Sequence, residues 1–147
     1  MSEAQKVGSV AIYLHGDDLE PQRLTEFLGV APDTSWKSGE ERRLSSGKIV
    51  RAKTGLWTLS TPVTNHDADG AVKILTDTLG ENFPRVFSVT GVESAYLDIF
   101  VCITQEQSDA GYTLELSNSK LAAIANAGLG LQVTISLDGA DDKPTRS

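Results

Sequence analysis

The stretch SAYLDIFVCI, which begins at Ser94, constrains the fold more than any other part of the chain. Its side chains alternate between two sets, as they do along a β-strand. One set contains Leu97, Ile99, Val101 and Ile103, and the other contains Tyr96, Asp98, Phe100 and Cys102. Because both sets are largely apolar, the stretch predicts a central strand of a sheet.

Other strands and helices are predicted on either side of it. Strands are predicted in VAIYLHG, with Val10, Ile12 and Leu14 on one face, in GLWTLSTP, which Pro62 ends, and in LQVTISL. Helices are predicted in EPQRLTEFLGV, NHDADGAVKILTDTLGEN and SNSKLAAIANAG, because their apolar residues recur at helical spacing and a glycine ends each pattern. A further helical turn is expected in FPRVFSVTG. Residues 33–54 read as an extended arm or hairpin with a mobile tip.

This order of elements predicts one α+β domain. We expect a mostly antiparallel sheet of four to five strands, packed by about three helices. A ferredoxin-like core, which is a split βαβ arrangement, with an αβ extension is compatible with that order. The domain is expected over residues 7–138, between a loose N-terminal arm at 1–6 and a disordered tail at 139–147.

Charge is distributed unevenly along the 147-residue chain, whose net charge is −7. Residues 36–54, which we call the basic arm, contain six basic and two acidic residues, a net charge of +4. The rest contains seven basic and eighteen acidic residues, a net charge of −11. An acidic body makes nucleic acid an unexpected partner, since that ligand needs a broad basic face. It favours solubility or attraction to a basic partner.

A cytoplasmic location without a membrane partner is expected. The first residues, MSEAQKVGSV, lack the basic and apolar regions of a signal peptide, and no apolar run has the length of a membrane span. Cys102 is the one cysteine, and it falls in an apolar strand, which is typical of a buried inert thiol.

No catalytic residue, metal site or cofactor is predicted. The groupings HGDD, from His15, and HDAD, from His66, fall where helices begin, and their aspartates are interpreted as helix caps. Their spacing matches no metal motif, and the sequence contains neither a nucleophile elbow nor a phosphate-binding glycine loop. The oligomeric state stays open.

Most of the candidate binding residues lie in the basic arm. Charged side chains beside two tryptophans suit an anionic or planar ligand, through charge-assisted hydrogen bonds and stacking. These residues are Trp36, Lys37, Arg42, Arg43, Arg51, Lys53 and Trp57. The alternative is a solvated hairpin whose charges protect a sheet edge from aggregation.

Asp98 is the remaining candidate. A carboxylate within a central strand is costly unless it is paired or solvated, and a perturbed acid often marks a functional site. Asp98 would share a face with Tyr96, and with Tyr13 and His15 if the two strands are neighbours. The alternative is a structural partner of a basic residue of the arm or an edge position in solvent.

Several segments together resemble the bacterial domain-of-unknown-function family 4279. They are HGDDLEPQRLTEFLGVAPDTSWKSGE, TGLWTLST and LELSNSKLAAIANAGLGLQVTIS, in this order over roughly Val10 to Ser136. The resemblance implies an intracellular α+β domain and carries no activity, cofactor or catalytic residue. By analogy with small acidic domains near contact-dependent toxin systems, it makes an immunity role conceivable.

The leading hypothesis is a non-catalytic module that binds a small anionic ligand or a protein partner. The first alternative is an immunity-type protein that neutralises a basic toxin. The second is an enzyme acting on a small anionic metabolite, for which no base and nucleophile pair is visible.

Overall fold

A computed structural model describes residues 6–137. The elements in chain order are β1 (Lys6–Gly16), α1 (Pro21–Leu28), β2 (Thr34–Trp36), β3 (Glu41–Arg43), β4 (Ile49–Arg51), β5 (Gly55–Thr64), α2 (Ala68–Leu79), a 3₁₀ segment (Phe83–Ser88), β6 (Ser94–Ile103), α3 (Gln105–Ala110), α4 (Asn118–Asn126) and β7 (Gly130–Leu137). The predicted α+β class is confirmed. The predicted tail and all of the predicted N-terminal arm except Lys6, which begins β1, lie outside the described residues.

The main sheet has five strands in the order β2-β5-β1-β6-β7. β1 pairs antiparallel with both β5 and β6, β2 pairs antiparallel with β5, and β7 pairs parallel with β6. The prediction of a mostly antiparallel sheet of four to five strands is therefore confirmed. β6 has a neighbour on each edge, as its two apolar faces predict.

The ferredoxin-like core is not confirmed. β5 and β6 flank β1 and run in the same direction with α2 between them, so this connection is split by β1. The next connection is not split, because β6 and β7 are direct parallel neighbours. The second half of the domain is thus an ordinary βαβ crossover, and its strand order departs from the expected arrangement.

The helices cover one face of the sheet. The alternation in β1 puts Val10, Ile12 and Leu14 on that face, where all three are buried. The core there also includes Leu24 of α1 and Leu75 of α2. The pattern of apolar residues therefore predicted which side of β1 faces the core. No helix among residues 6–137 is long and apolar enough to cross a membrane.

Helix starts follow the expected local chemistry in two cases. The side chain of Asp67 accepts a hydrogen bond from the Gly70 amide at the start of α2, and Ser117 caps α4 through the Lys120 amide. The aspartates of HGDD do not cap α1, because its N-cap residue is Glu20, whose side chain makes no capping bond. The capping interpretation is confirmed for HDAD and wrong for HGDD.

Two elements differ from the sequence prediction. Pro62 does not end its strand but lies inside β5, which continues to Thr64. It is tolerated because β2 pairs only with residues 56–58, so β5 is an edge at this point. The structure also has five helical segments rather than about three, and α3 was not predicted because it buries no residue that could mark an apolar face.

Residues 33–54 form an edge strand followed by a hairpin. β2 pairs with β5, and β3 pairs with β4 as a separate two-stranded sheet. The turn between β3 and β4 is closed by a hydrogen bond of 2.7 Å from the Leu44 amide to the Lys48 carbonyl. Gly47 in this turn has a φ of +92°, which glycine adopts without steric cost. Most of the basic arm thus forms a hairpin.

Candidate functional site

The face of the sheet opposite the helices, which we call the open face, carries the polar candidates. Side chains alternate along β1 and β6, so residues next to the buried ones point away from the helices. The strand register places Tyr13 opposite Tyr96 and Ala11 opposite Asp98. Asp98 also lies opposite Gln132 of β7. The expectation that Asp98 shares a face with these β1 side chains follows from β1 and β6 being neighbours.

Three rings form a stacked cluster on the open face. The centroids of Tyr13 and Tyr96 are 5.2 Å apart with an interplanar angle of 19°. The ring of His15 lies 6.0 Å from Tyr96 and 6.4 Å from Tyr13, and it is also nearly parallel to both. All three side chains are half-buried. The aromatic cluster, as we call these three residues, presents planar apolar surface at the solvent boundary.

Two buried polar atoms, one within this cluster and one beside it, have no hydrogen-bond partner within the described residues. They are Nδ1 of His15 and Oδ1 of Asp98. Buried polar atoms are nearly always satisfied by protein, water or ligand, so each of these two atoms can form one further hydrogen bond. They are not bonded to each other, and the Tyr13–Tyr96 pair lies between them in the register.

Burial perturbs the acid–base properties of this region. It raises the pKa of Asp98 above the ordinary value of 3.8, because the charged carboxylate loses hydration. Burial also raises the pKa of Tyr96, and the charges of Tyr13 and Asp98 add to that effect. The Asp98 carboxyl therefore holds its proton to a higher pH than a carboxyl in water, and in that form it can donate a hydrogen bond.

A second group of candidates lies at the β2 edge of the open face. Trp36 is paired with Leu56 in the register, which places it in the same row as His15. Its indole Nε1 donates a hydrogen bond of 3.1 Å to the carbonyl of Thr54. The guanidinium carbon of Arg42 lies 3.9 Å from the centroid of the indole ring, a cation–π contact. The hairpin is thereby attached to the sheet edge through these two side chains.

The other basic residues of the arm differ in their partners. Arg51 forms an ion pair of 2.9 Å with Glu41 and donates to the carbonyl of Gly39. Lys37 lies 3.3 Å from Glu20, and Arg43 donates to the Gly47 carbonyl. These contacts are exposed, so each contributes little stability. Among the described residues, the ammonium of Lys53 has no ion-pair partner.

Trp57 lies on the opposite face from Trp36 and does not belong to this surface. Its side chain is fully buried in the core, at 0% exposure. Its Nε1 donates a hydrogen bond of 3.1 Å to Oγ1 of Thr25 in α1. Because no part of the indole is accessible, the prediction that Trp57 contributes to the ligand surface is corrected here. Its part in the molecule is to pack α1 on the sheet.

Asp98 and Trp36 share the open face but are far apart on it. Their strands, β6 and β2, are separated by β1 and β5, which is about 14 Å at three strand spacings. The surface therefore has a basic end at Trp36 and Arg42 and an acidic end at Asp98. The aromatic cluster lies between them.

The sequence-based selection omitted Tyr13, His15 and Tyr96 as site residues. Their signal was present in the alternation of β1 and β6, but only the register shows that the three rings meet. His66, the other histidine, contacts the Tyr112 hydroxyl at 3.0 Å and Gln107 at 3.1 Å, away from the aromatic cluster. No group of three or more His, Cys, Asp or Glu within residues 6–137 is placed to hold a metal ion.

Comparison with known proteins identifies the family. No curated protein and no solved structure matches the chain. The family model described as domain of unknown function DUF4279 matches residues 5–138, which is nearly the whole chain and agrees with the resemblance seen in its motifs. The chain therefore belongs to the DUF4279 family.

Proposed function

We propose that this protein is a non-catalytic binding module whose open face takes a small anionic ligand that carries a planar group. The observation that carries the proposal is the aromatic cluster with the two unpartnered polar atoms beside it, on His15 and Asp98. A planar group stacked on these rings would bury apolar surface and bring polar atoms to both orphans.

The basic end of the open face supports the anionic part of the proposal. Arg42 is held over Trp36, so its guanidinium is pre-oriented and loses little side-chain entropy on binding an anion. Lys53 adds positive charge to the same hairpin. A ligand whose ring stacks on the aromatic cluster and whose anionic group points towards Arg42 would contact both the aromatic cluster and the basic end of this face.

A binding role is favoured over a catalytic one because no acid and base on the open face are in hydrogen-bonding contact among the described residues. His15 and Asp98 are open-face groups suited to proton transfer, and neither orphan atom reaches the other. A catalytic pair would need contact at hydrogen-bonding distance, directly or through one water molecule.

The test uses adenosine monophosphate as a probe of the ligand class, with adenosine and inorganic phosphate as its two halves. Chemical shifts of amides and ring protons would be followed by NMR during titration of the full chain. We expect the monophosphate to shift Tyr13, Tyr96 and the Trp36 indole, and to bind more tightly than either half. Shifts confined to the helix-covered side, or no shift at millimolar probe, would contradict the proposal.

Two variants sharpen the titration. Arg42→Ala removes the pre-oriented cation. It should weaken monophosphate binding by about fivefold or more, because the contact between the guanidinium and the phosphate group, about 1 kcal/mol, is lost. Lys73→Gln is the matched control, because it removes one positive charge from α2 on the opposite side of the sheet. Equal effects of the two variants would indicate a general charge effect rather than a site.

A protein partner is the second candidate, and the distribution of charge favours it. The chain outside the basic arm has a net charge of −11, which would attract a basic protein such as a toxin in an immunity-type complex. A pull-down with the product of a neighbouring gene, repeated at increasing salt, tests this idea. Binding that is lost at high salt and retained by Arg42→Ala would favour this candidate over the ligand site.

A further inference from the structure

The last strand of the sheet has an unusual free edge. β7 pairs with β6 on one side, and no described strand pairs with its other side. Its eight residues, GLQVTISL, contain no charged residue. In a chain in which 22% of residues are charged, the outer edge of the main sheet is thus a neutral row of free backbone groups.

Every second side chain of β7 is aliphatic and exposed. The register aligns Leu131, Val133, Ile135 and Leu137 with the core residues of β6, so they point to the helix-covered face. Their exposed fractions are nevertheless 40%, 43%, 49% and 37%. The helices therefore cover this strand only in part, and the apolar row extends the core to the solvent boundary. Contiguous exposed apolar surface of this kind marks an interaction site more often than a random feature.

The usual protections of an edge strand are missing from β7. Soluble proteins protect such strands with lysine, proline, a bulge or short length. β7 is eight residues long, contains none of these residues, and pairs with β6 in unbroken register from Gly130 to Leu137. The opposite edge, β2, is only three residues long and is followed by the charged hairpin. The contrast indicates that the β7 edge is kept open for a partner.

We propose that the partner is a second copy of this chain, joined through antiparallel pairing of the two β7 strands. A two-fold axis perpendicular to the sheet makes the edges self-complementary and keeps the helices of both copies on one side. The aliphatic rows then meet on the same face. Pairing centred on Val133 sets Leu131 opposite Ile135 of the other copy, and pairing centred on Thr134 sets Val133 opposite Ile135. The product is one ten-stranded sheet whose core is continuous.

Other occupants fit the row less well. The ten residues after Leu137, DGADDKPTRS, include only one alanine and one proline as apolar residues, and the first five, MSEAQ, include only one methionine and one alanine. Neither segment supplies aliphatic side chains to cover four others. Head-to-tail pairing of β7 with β2 would match eight residues against three and would generate an open filament rather than a closed pair.

The central experiment is sedimentation of the full chain over a wide concentration range. We expect a reversible dimer of twice the 15.7-kDa chain mass. Ile135→Lys buries an unpaired charge against Leu131 or Val133 of the other copy and should raise the dimer dissociation constant at least tenfold, or about 1.4 kcal/mol. Ile74→Lys is the matched control, because it makes the same change at an α2 residue that is 56% exposed. The control should stay dimeric.

Three outcomes would overturn the proposal: a wild-type chain that stays monomeric at the highest concentration, an Ile135→Lys variant that still dimerises, or equal weakening by both variants. Should Ile135→Lys fail to fold, amide hydrogen exchange of the wild-type chain replaces it. Exchange at β7 should slow as protein concentration rises, while exchange at the ends of α1 should not. Exchange at β7 that does not depend on concentration would contradict the dimer.

Discussion

Tyr13 and Tyr96 lie opposite each other on neighbouring strands, with ring centroids 5.2 Å apart, and they separate the unpartnered atoms of His15 and Asp98. A directly opposed aromatic pair stabilises an antiparallel sheet by roughly 0.2–1 kcal/mol relative to alanines. The same pair limits how His15 and Asp98 can act. It keeps them apart, so neither side chain can satisfy the hydrogen-bonding atom of the other.

We predict that Asp98→Asn stabilises the protein at neutral pH. Burial raises the folded-state pKa of Asp98 above 3.8, so the wild-type protein loses stability as pH rises from 3.8 through the raised value. Asparagine keeps the shape and has no charge to desolvate. The melting temperature of the variant should exceed that of the wild type by about 2–4 °C at pH 7, and the difference should vanish near pH 3.

A gain that is as large at pH 3 as at pH 7 would contradict the titration argument. It would mean that the variant acts through packing or hydrogen bonding rather than through the charge of Asp98.

Asp69→Asn should show the opposite pH dependence. The Asp69 carboxylate accepts a 2.8 Å hydrogen bond from the Ser117 amide, and this bond is the main cause of its lowered pKa. A depressed folded pKa gives stability that is present above 3.8 and is lost as pH falls through the folded value. The variant should melt about 3 °C lower than wild type at pH 7, and the gap should close in acid.

Thermal melts of both variants and the wild type at several pH values test the two predictions together. If the melting temperatures of the two variants differ from that of the wild type with the same sign, at least one of the pKa directions assigned to Asp98 and Asp69 is wrong.

The sequence predicted on which face of the sheet a side chain lies better than it predicted which strands are neighbours. Alternation in β1 and β6 identified which side chains share a face, because the period of a strand is a local property. The meeting of His15 with Tyr96 depends on strand order, which local pattern does not determine. The same limit applies to Trp57: its alternation separated it from Leu56, but contact with Thr25 of α1 decides that its face is the core.

Elements without an apolar face escaped prediction for a different reason. α3 buries none of its six residues, and its one local signal is the capping box formed by Thr104 and Gln107. β7 illustrates the converse. The strand was predicted, and its aliphatic row lies on the core side of the sheet, but the helices leave this row partly exposed.

We predict that the double variant Arg43→Ala/Arg51→Ala folds normally. The contacts that it removes, to Gly47, Gly39 and Glu41, all lie within the exposed hairpin. Exposed contacts of this kind contribute little stability, so the melting temperature should change by less than about 2 °C. A drop of several degrees without any loss of ligand or partner binding would show that the hairpin is structural and that its charges are not part of a site.

The sharpest stability prediction concerns Gly91, just before β6. Its φ is +99°, and a Cβ atom there would lie 2.6 Å from the carbonyl oxygen of Asp18, a backbone atom that cannot rotate away. Gly39 has a similar φ of +87° but open space around it. Both Gly→Ala substitutions incur a cost of roughly 1–2 kcal/mol for the left-handed backbone, and only Gly91→Ala adds a steric clash. In urea denaturation, Gly91→Ala should therefore lose at least about 1 kcal/mol more unfolding free energy than Gly39→Ala. Equal losses would mean that the turn containing Asp18 moves freely and does not hold the start of β6 in place.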